Sequence, residues 1–343
     1  MNWQPSASLL SLREGASLRR SVRSWMEQQQ VLEVLTPSLS RAAATDPHVL
    51  SVATRDGRFL HTSPEFPMKR LLAAHALAAA EIHGDCDPPT QLQLPELSAS
   101  PDIYQIATVF RAEESGRFHN SEFTLLEWYR VGMDHRQLIE DLRSLLRHVW
   151  QAFDLPWPGL TIRRYGEEVH RRLGCWPDRL DTGTIEQYFL TAGRSYPQAI
   201  GDDVDAALDL FMDEFVLPDL AIDAFTVLMD YPVSQSALAR LGQDADGHAV
   251  AQRFELYFGQ IELANGFHEL SDADVQRARF EADQLKREAL NVEPVPMDEQ
   301  LLAALEAGLP DCAGIALGLE RLQMVIGKHS NISEVISFDD QRA

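Results

Sequence analysis

The stretch from Ile103 to Tyr129 restricts the fold more than any other. Ile103-Tyr104-Gln105-Ile106-Ala107-Thr108-Val109-Phe110 is rich in β-branched and aromatic residues and predicts a strand. A polar connection marked by Gly116 and Asn120 follows, and the chain then returns as a second strand. Side chains alternate along a strand, so Phe123, Leu125, Glu127 and Tyr129 share one face. Arg111 sits where the first strand meets the loop. A hairpin floor bearing an arginine, acids and exposed aromatics suits a nucleotide and a cationic ligand. An ordinary charged hairpin carries the same pattern.

A second hairpin is predicted over 253–269, turning at Gly259-Gln260. That register puts Tyr257 opposite Glu262, with Glu255 diagonal to it at roughly 7–8 Å. Two carboxylates so placed repel unless a cation lies between them. Magnesium accepts one or two carboxylates plus substrate phosphates. Solvent-facing acids on a sheet edge are the alternative. Near the N-terminus, Leu60-His61-Thr62-Ser63-Pro64-Glu65 ends a strand and opens a helix. Pro64 suits the first turn, and Glu65 complements the helix dipole there.

The rest of the chain alternates helices with short strands. Ala16–Gln30 carries Leu18, Val22, Trp25 and Met26 at helical spacing, followed by a short strand Val31–Leu35 and Thr36-Pro37. Asp134 caps a helix with Leu138, Leu142, Leu145 and Val149 inward. Strands are expected at Leu160–Arg164 and Phe225–Asp230, and a helix over Asp203–Val216. Ser271 and Asp274 suggest a capping-box start for a helix to about Leu290. A helix over Gln300–Leu305, a strand over Cys312–Ala316 and a helix from Gly318 to Ile326 complete the reading.

Composition excludes some functions. The formal net charge of −22 argues against broad nonspecific nucleic-acid binding, which needs cationic surface. Arginines at 13, 19, 20 and 23, and at 163, 164, 171 and 172, form local clusters that suit either an acidic partner or solvated helix faces. The 3 cysteines, Cys86, Cys175 and Cys312, show no paired spacing, which fits a reducing cytoplasm. The apolar run Leu71–Ala80 is too short to cross a membrane.

The hairpin segment Phe110–Tyr129 resembles motif 2 of the class II aminoacyl-tRNA synthetases, the lysyl branch in particular. Gly314-Ile315-Ala316-Leu317-Gly318-Leu319-Glu320-Arg321-Leu322 resembles motif 3, and the helix, strand and Pro37 near the N-terminus resemble motif 1. Gln30 departs from the family, which usually has glycine before that strand. Within the lysyl branch the chain is most similar to the ligases that attach (R)-β-lysine to elongation factor P. The resemblance runs from about Trp3 to the C-terminus, interrupted by a proline-rich loop insertion at about 74–101.

The resemblance implies an α+β fold, the class II aminoacyl-tRNA synthetase catalytic fold, an antiparallel β-sheet flanked by helices. It implies a single catalytic domain over 1–343 with no N-terminal OB-fold anticodon-binding domain. It implies a cytoplasmic homodimer with ATP and Mg2+ as cofactors, (R)-β-lysine and elongation factor P as substrates, and no stable tRNA complex. Carried over by position, Arg111 and Arg321 are the catalytic residues. Nucleotide contacts fall to Arg111, Ala112, Glu113, His119, Asn120, Phe123, Glu262, Leu263, Gly318 and Arg321, and the metal to Glu255 and Glu262. The amino-acid pocket falls to Ser63, Pro64, Glu65, Glu127, Tyr129, Glu269 and Ala316, with Asn265-Gly266 as the turn that delivers Glu269. Ala316 stands where lysyl-tRNA synthetases usually have glycine, and its methyl group favours a shifted amine. A truncated lysyl-tRNA synthetase, a non-catalytic regulatory subunit and an ATP-dependent amide ligase of small metabolites are the other readings.

Overall fold

The computed structural model of the chain describes residues 3–83 and 101–343. The expected insertion at about 74–101 therefore lies outside the described residues, apart from 74–83, which continue a helix, and residue 101. Two compact units are present, one formed by Met1–Leu155 with Glu269–Ala343 and one by Pro156–His268.

In chain order the first unit begins with α1 (Leu9–Gln28), β1 (Leu32–Glu33), β2 (Leu39–Ser40), β3 (Phe59–Leu60) and α2 (Glu65–His83). The hairpin β4 (Ile103–Phe110) and β5 (Glu122–Val131) and the helix α3 (His135–Ala152) follow. The second unit holds β6 (Leu160–Arg164), α4 (Tyr165–Leu173), α5 (Thr182–Thr191), α6 (Val204–Phe211), β7 (Phe225–Tyr231), β8 (Leu241–Gln243), β9 (Ala249–Phe258) and β10 (Ile261–His268). The chain returns to the first unit with α7 (Ala273–Ala289), α8 (Glu299–Gly308), β11 (Cys312–Gly318) and α9 (Leu319–Gly327).

In the first unit β5 lies between β4 and β11, antiparallel to both, and β1 adds a short parallel pair at the outer edge of β4. Helix α1 packs on α3 and α9, and α2 packs on α8. Leu18, Val22, Trp25 and Met26 are buried, so the expected inner face of α1 is the one that faces the core. Asp134 closes a full capping box on α3, with Gln137 answering its backbone N–H. Helix α7 is capped differently from the expectation: Asp272 accepts from Val275 N at 3.0 Å. Ser271 and Asp274 merely flank the residue whose side chain reaches the free N–H.

The second unit pairs β9 antiparallel with both β7 and β10, while β6 runs parallel to β7. Its core joins Val169, Phe189, Leu208 and Phe211 from the helices to Leu228 and Tyr257 from the sheet. The helix expected over 203–216 holds its α-form through Phe211 and widens into a π-turn over Met212–Val216.

The end of α1 explains the departure at residue 30. Val31 N–H donates to Met26 O and Gln30 N–H to Glu27 O, both at 3.0 Å, the paired bonds of a Schellman stop. That stop puts Gln30 at φ 58, in the left-handed region that favours glycine. Gln30→Gly is expected to stabilise the protein by about 0.5–1 kcal/mol, since the strain removed exceeds the added backbone entropy. Denaturant unfolding measures it, and an unchanged or lowered midpoint overturns it.

Candidate active site

Strand register builds the face of the site. Across β4, β5 and β11 the residues align in rows: Gln105, Glu127 and Ala316; Ile103, Tyr129 and Gly314; Ala107, Leu125 and Gly318. Phe123 pairs with Val109 at the end of the same face. The alternation expected for Phe123, Leu125, Glu127 and Tyr129 is thus the pleat of β5. Ahead of α2, Phe110 N–H donates to His61 O at 3.0 Å, and His61 Nε2–H donates to Thr108 O at 2.7 Å. These bonds tie the segment carrying Ser63 and Glu65 to the same sheet. Pro64 is buried at the threshold of α2, and its carbonyl accepts from Met68 N–H at 3.1 Å.

At the Tyr129 end the structure assembles a largely buried acidic cluster. Ser63 Oγ and Tyr129 Oη each donate to Glu127 at 2.7 Å, one to each carboxylate oxygen. Ser63 Oγ also accepts from Glu65 N–H at 3.0 Å, which fixes the first turn of α2. Glu269 enters after β10, where its N–H donates to Cys312 O at 3.0 Å. The expected turn at Asn265-Gly266 is absent. Both residues lie within β10, paired with Glu255 and Phe254, and the strand breaks register between Glu262 and Ala264 instead. A bulge supplies the redirection that the Asn-Gly pair suggested.

Between Glu65 and Glu269 sits Lys69, whose Nζ is 2.7 Å from Glu65 Oε1 and 2.5 Å from Glu269 Oε2. Burial alone disfavours the Lys69 charge, yet the two carboxylates outweigh it and hold the ammonium above its ordinary range. Burial pushes Glu269 up, and Lys69 opposes that push; with two carboxylates sharing one ammonium, the ionised arrangement is the consistent one. Glu127 has no such cation. Burial first, then the charge of Glu65, raises it to about 8 despite the two hydroxyl donors. Tyr129 is pushed well up by burial and by Glu127, so its hydroxyl stays a donor. Gly314 lies under this group, and a Cβ there would run into the Tyr129 ring and the Glu269 carboxylate.

At the Phe123 end the polar groups are cationic. The Arg111 guanidinium lies 5.1 Å over the Phe123 ring and 3.3 Å from Glu114 Oε1. Arg321, in the first turn of α9, donates from Nε to Phe118 O at 3.1 Å. Lost hydration, then the charges of Arg321 and Arg111, lower His119, so both arginines act on that ring. Asn120 is buried and structural in this state: Nδ2 donates to Glu122 O at 2.8 Å, and Oδ1 accepts from Asp340 N–H at 3.1 Å. Ala112 N–H donates to Leu50 O at 2.8 Å, and Glu113 is exposed with φ 65. Gly318 forms the N-cap of α9, where the backbone approaches the site without a side chain. Ala316, half-buried, packs with Phe123, Leu125 and Val109.

The second unit holds the remaining candidates. Phe258 pairs with Ile261 and Tyr257 with Glu262, so the hairpin turns at Gly259-Gln260 as expected. Leu263 is buried at the bulge. Glu255 is ringed by donors: Tyr231 Oη at 2.6 Å, Tyr257 Oη and the Arg253 guanidinium. Arg253 lies over the Tyr231 and Phe267 rings at 4.4 and 5.6 Å. Among the described residues no group of three or more His, Cys, Asp or Glu side chains could hold a metal. Glu255 and Glu262 offer hard oxygen donors, which suit magnesium once phosphates complete the shell.

Lys69 and Glu320 are the residues that the sequence reading missed. Glu320 is a half-buried carboxylate, pushed up by lost hydration, whose Oε2 accepts from Thr124 N–H at 2.9 Å and pins β5 to α9. The signal for Lys69 was its spacing: it lies four residues after Glu65, on the helix face that carries Met68 and Leu72 inward. The arginine cluster at 163–172 is spent locally. Arg163, Arg171 and Arg172 pair with Glu168, and Arg164 pairs with Glu167, Asp244 and Asp246.

Comparison with known proteins identifies the family. The family model for class II tRNA synthetases (D, K and N) matches residues 90–342. A protein of Vibrio parahaemolyticus named elongation factor P-(R)-beta-lysine ligase is 40% identical over 347 residues, covering 98% of both chains. Proteins of the same name from Vibrio cholerae and Pectobacterium atrosepticum are 39% and 38% identical, covering 100% of this chain and 99% and 98% of theirs. Among the described residues no helix is long and apolar enough to cross a membrane.

The raised Glu127 has a consequence for stability. An unfolded glutamate ionises near about 4.3, so the folded state holds this proton more tightly. The stabilisation is full below that value and is lost as the pH rises through about 8. Glu127→Gln is therefore expected to melt higher relative to the ligand-free wild type at about pH 8.5 than at about pH 5, by several degrees. Thermal unfolding across pH checks it, and a gap that does not vary with pH overturns it.

Proposed function

This chain belongs to the class II tRNA synthetase family, and from that membership we propose that it joins (R)-β-lysine to a lysine side chain of elongation factor P at the expense of ATP. The observation that carries the reading is the acidic cluster of Glu65, Glu127 and Glu269, whose Glu127 lies on the strand that also presents Phe123 beneath Arg111. Ammonium groups taken out of water need paired charges, and a diamino acid brings two. The relatives' shared name supports the same substrates.

In the first step a carboxylate oxygen of the amino acid attacks the α-phosphorus of ATP. The bond from that phosphorus to the bridging oxygen breaks, and pyrophosphate leaves with the electron pair. Arg111 holds the α-phosphate, where charge shifts in the transition state. Arg321 clamps the distal phosphates and, with Phe123, encloses the adenine. Glu113, His119, Asn120, the backbone at Ala112 and Leu263, and the side-chain-free Gly318 complete the nucleotide contacts. Glu255 and Glu262 would hold Mg2+, which neutralises phosphate charge when bound. In the second step the neutral amine of the acceptor lysine attacks the acyl carbon, AMP departs with the bonding pair, and the new amide nitrogen sheds its proton.

Ser63, Pro64, Glu65, Glu127, Tyr129 and Glu269 orient the ammonium groups, and Ala316 decides where the second amine sits. The enzyme acts in the cytoplasm as a homodimer, with no stable tRNA complex. Leu32 and Leu35, 49% and 85% exposed in the motif 1 stretch, suit such a dimer surface.

The testing experiment is the intact mass of elongation factor P after incubation with this protein, ATP, Mg2+ and either lysine isomer. A lysyl-sized increase mainly with (R)-β-lysine is expected, and no increase with either isomer refutes the proposal. Because Ala316 pairs with Glu127 in the sheet, Ala316→Gly is expected to shift the preference toward α-lysine by about tenfold or more, read from pyrophosphate exchange with each isomer. An unchanged ratio removes the role assigned to that methyl group.

A further inference from the structure

Lys69 is a cation buried in a pocket proposed to bind cations. It is 2% exposed, as is Glu127, and Glu269 is 1% exposed. Its ammonium lies against Oε1 of Glu65 and Oε2 of Glu269. Glu127 takes no part in this pairing and is held by the hydroxyls of Ser63 and Tyr129. The cluster therefore contains three carboxyl groups and one fixed ammonium; Glu127 keeps its proton near neutral pH until a ligand cation displaces it, and the balance is then two negative charges.

We infer that Lys69 is the positioning residue of the amino-acid site: it holds Glu65 and Glu269 together and sets the charge of the site to match a ligand with two ammonium groups. This deepens the proposed function and rests on it. Glu127, outside this pairing, supplies a separate acceptor for the ligand. Without Lys69, two carboxylates sharing one small volume repel, and one of them turns away or takes a proton. The residue acts through its neighbours and leaves the phosphate chemistry alone. Its loss should therefore weaken amino-acid binding far more than turnover at saturation.

Charge, rather than the packing of the aliphatic stem, is the property at stake, and small amines can separate the two. Lys69→Ala is expected to raise the KM for (R)-β-lysine in pyrophosphate exchange by about tenfold or more, with kcat changed less than about threefold. Millimolar n-propylammonium, which returns an ammonium to the vacated space, should lower that KM again, whereas n-propanol of similar shape should not. Equal rescue by the alcohol, or a wild-type KM in the unsupplemented variant, overturns the inference. Lys69→Arg retains the charge and is expected to keep KM within about fivefold of wild type. This variant carries the test if the alanine protein does not fold, and a KM raised about tenfold or more in it overturns the charge-setting role. Wild-type protein that exchanges pyrophosphate with neither lysine isomer refutes the proposed function itself. A working wild type with an indifferent Lys69→Ala refutes the role of Lys69 alone.

Discussion

A carboxylate removed from water must be paired, hydrogen-bonded or protonated, and the first unit is arranged around that demand. Glu127, Glu269 and Lys69 are each almost wholly inaccessible. Breaking a buried ion pair by deleting one partner costs about 3–5 kcal/mol, so the elements that carry these groups are held to one another. Helix α2 contributes Glu65 and Lys69, β5 contributes Glu127 and Tyr129, and the segment after β10 contributes Glu269. Gly314 of β11 makes room for the cluster by having no side chain. An ordinary core would gain stability by replacing such ions with apolar residues. Their clustering sets this part of the first unit apart from an ordinary core.

Much of this was legible in the sequence because it follows from local periodicity. β4 is the predicted strand, β6 and the turn at Gly259-Gln260 fall where composition put them, and the cap of α3 is the expected Asp134. The shared face of Phe123, Leu125, Glu127 and Tyr129 needs only the two-residue period of a strand. What was not legible depends on contacts distant in sequence. Lys69 looks like any helix lysine until Glu269, two hundred positions away, is brought to its ammonium. The Asn265-Gly266 pair looks like a turn, but strand pairing with Glu255 and Phe254 overrides that preference.

Local strain marks other places where tertiary structure overrides sequence preference. Asp230 takes φ 59 inside β7, and pairing with β9 slips between Met229 and Tyr231. The slip is a bulge of the kind that re-aims a side chain. Tyr231, next along the strand, donates to Glu255 and stacks under Arg253. Arg253 remains strongly cationic although burial works against it, because Glu255 and the neighbouring tyrosines favour its charge. The repulsion expected between the carboxylates at 255 and 262 is thus met partly by a residue of the protein. The spacing of the two acids indicated that a cation was needed. It did not indicate that Arg253 was one.

The strand β5 also acts as a ruler for the proposed chemistry. Phe123, under Arg111, and Glu127, in the acidic pocket, are four residues apart on one face, which at the rise of an extended strand is about 13 Å. A ligand that satisfies both ends must carry an ammonium group several bonds from the atom it joins to a nucleotide phosphate. A short amino acid would reach only one end of this face and make no contact with the acidic cluster. A long apolar one would reach the carboxylates without neutralising them. An acidic one would add to their repulsion. The charge pattern and the spacing select together, as the proposed lysine-type acyl adenylate would require.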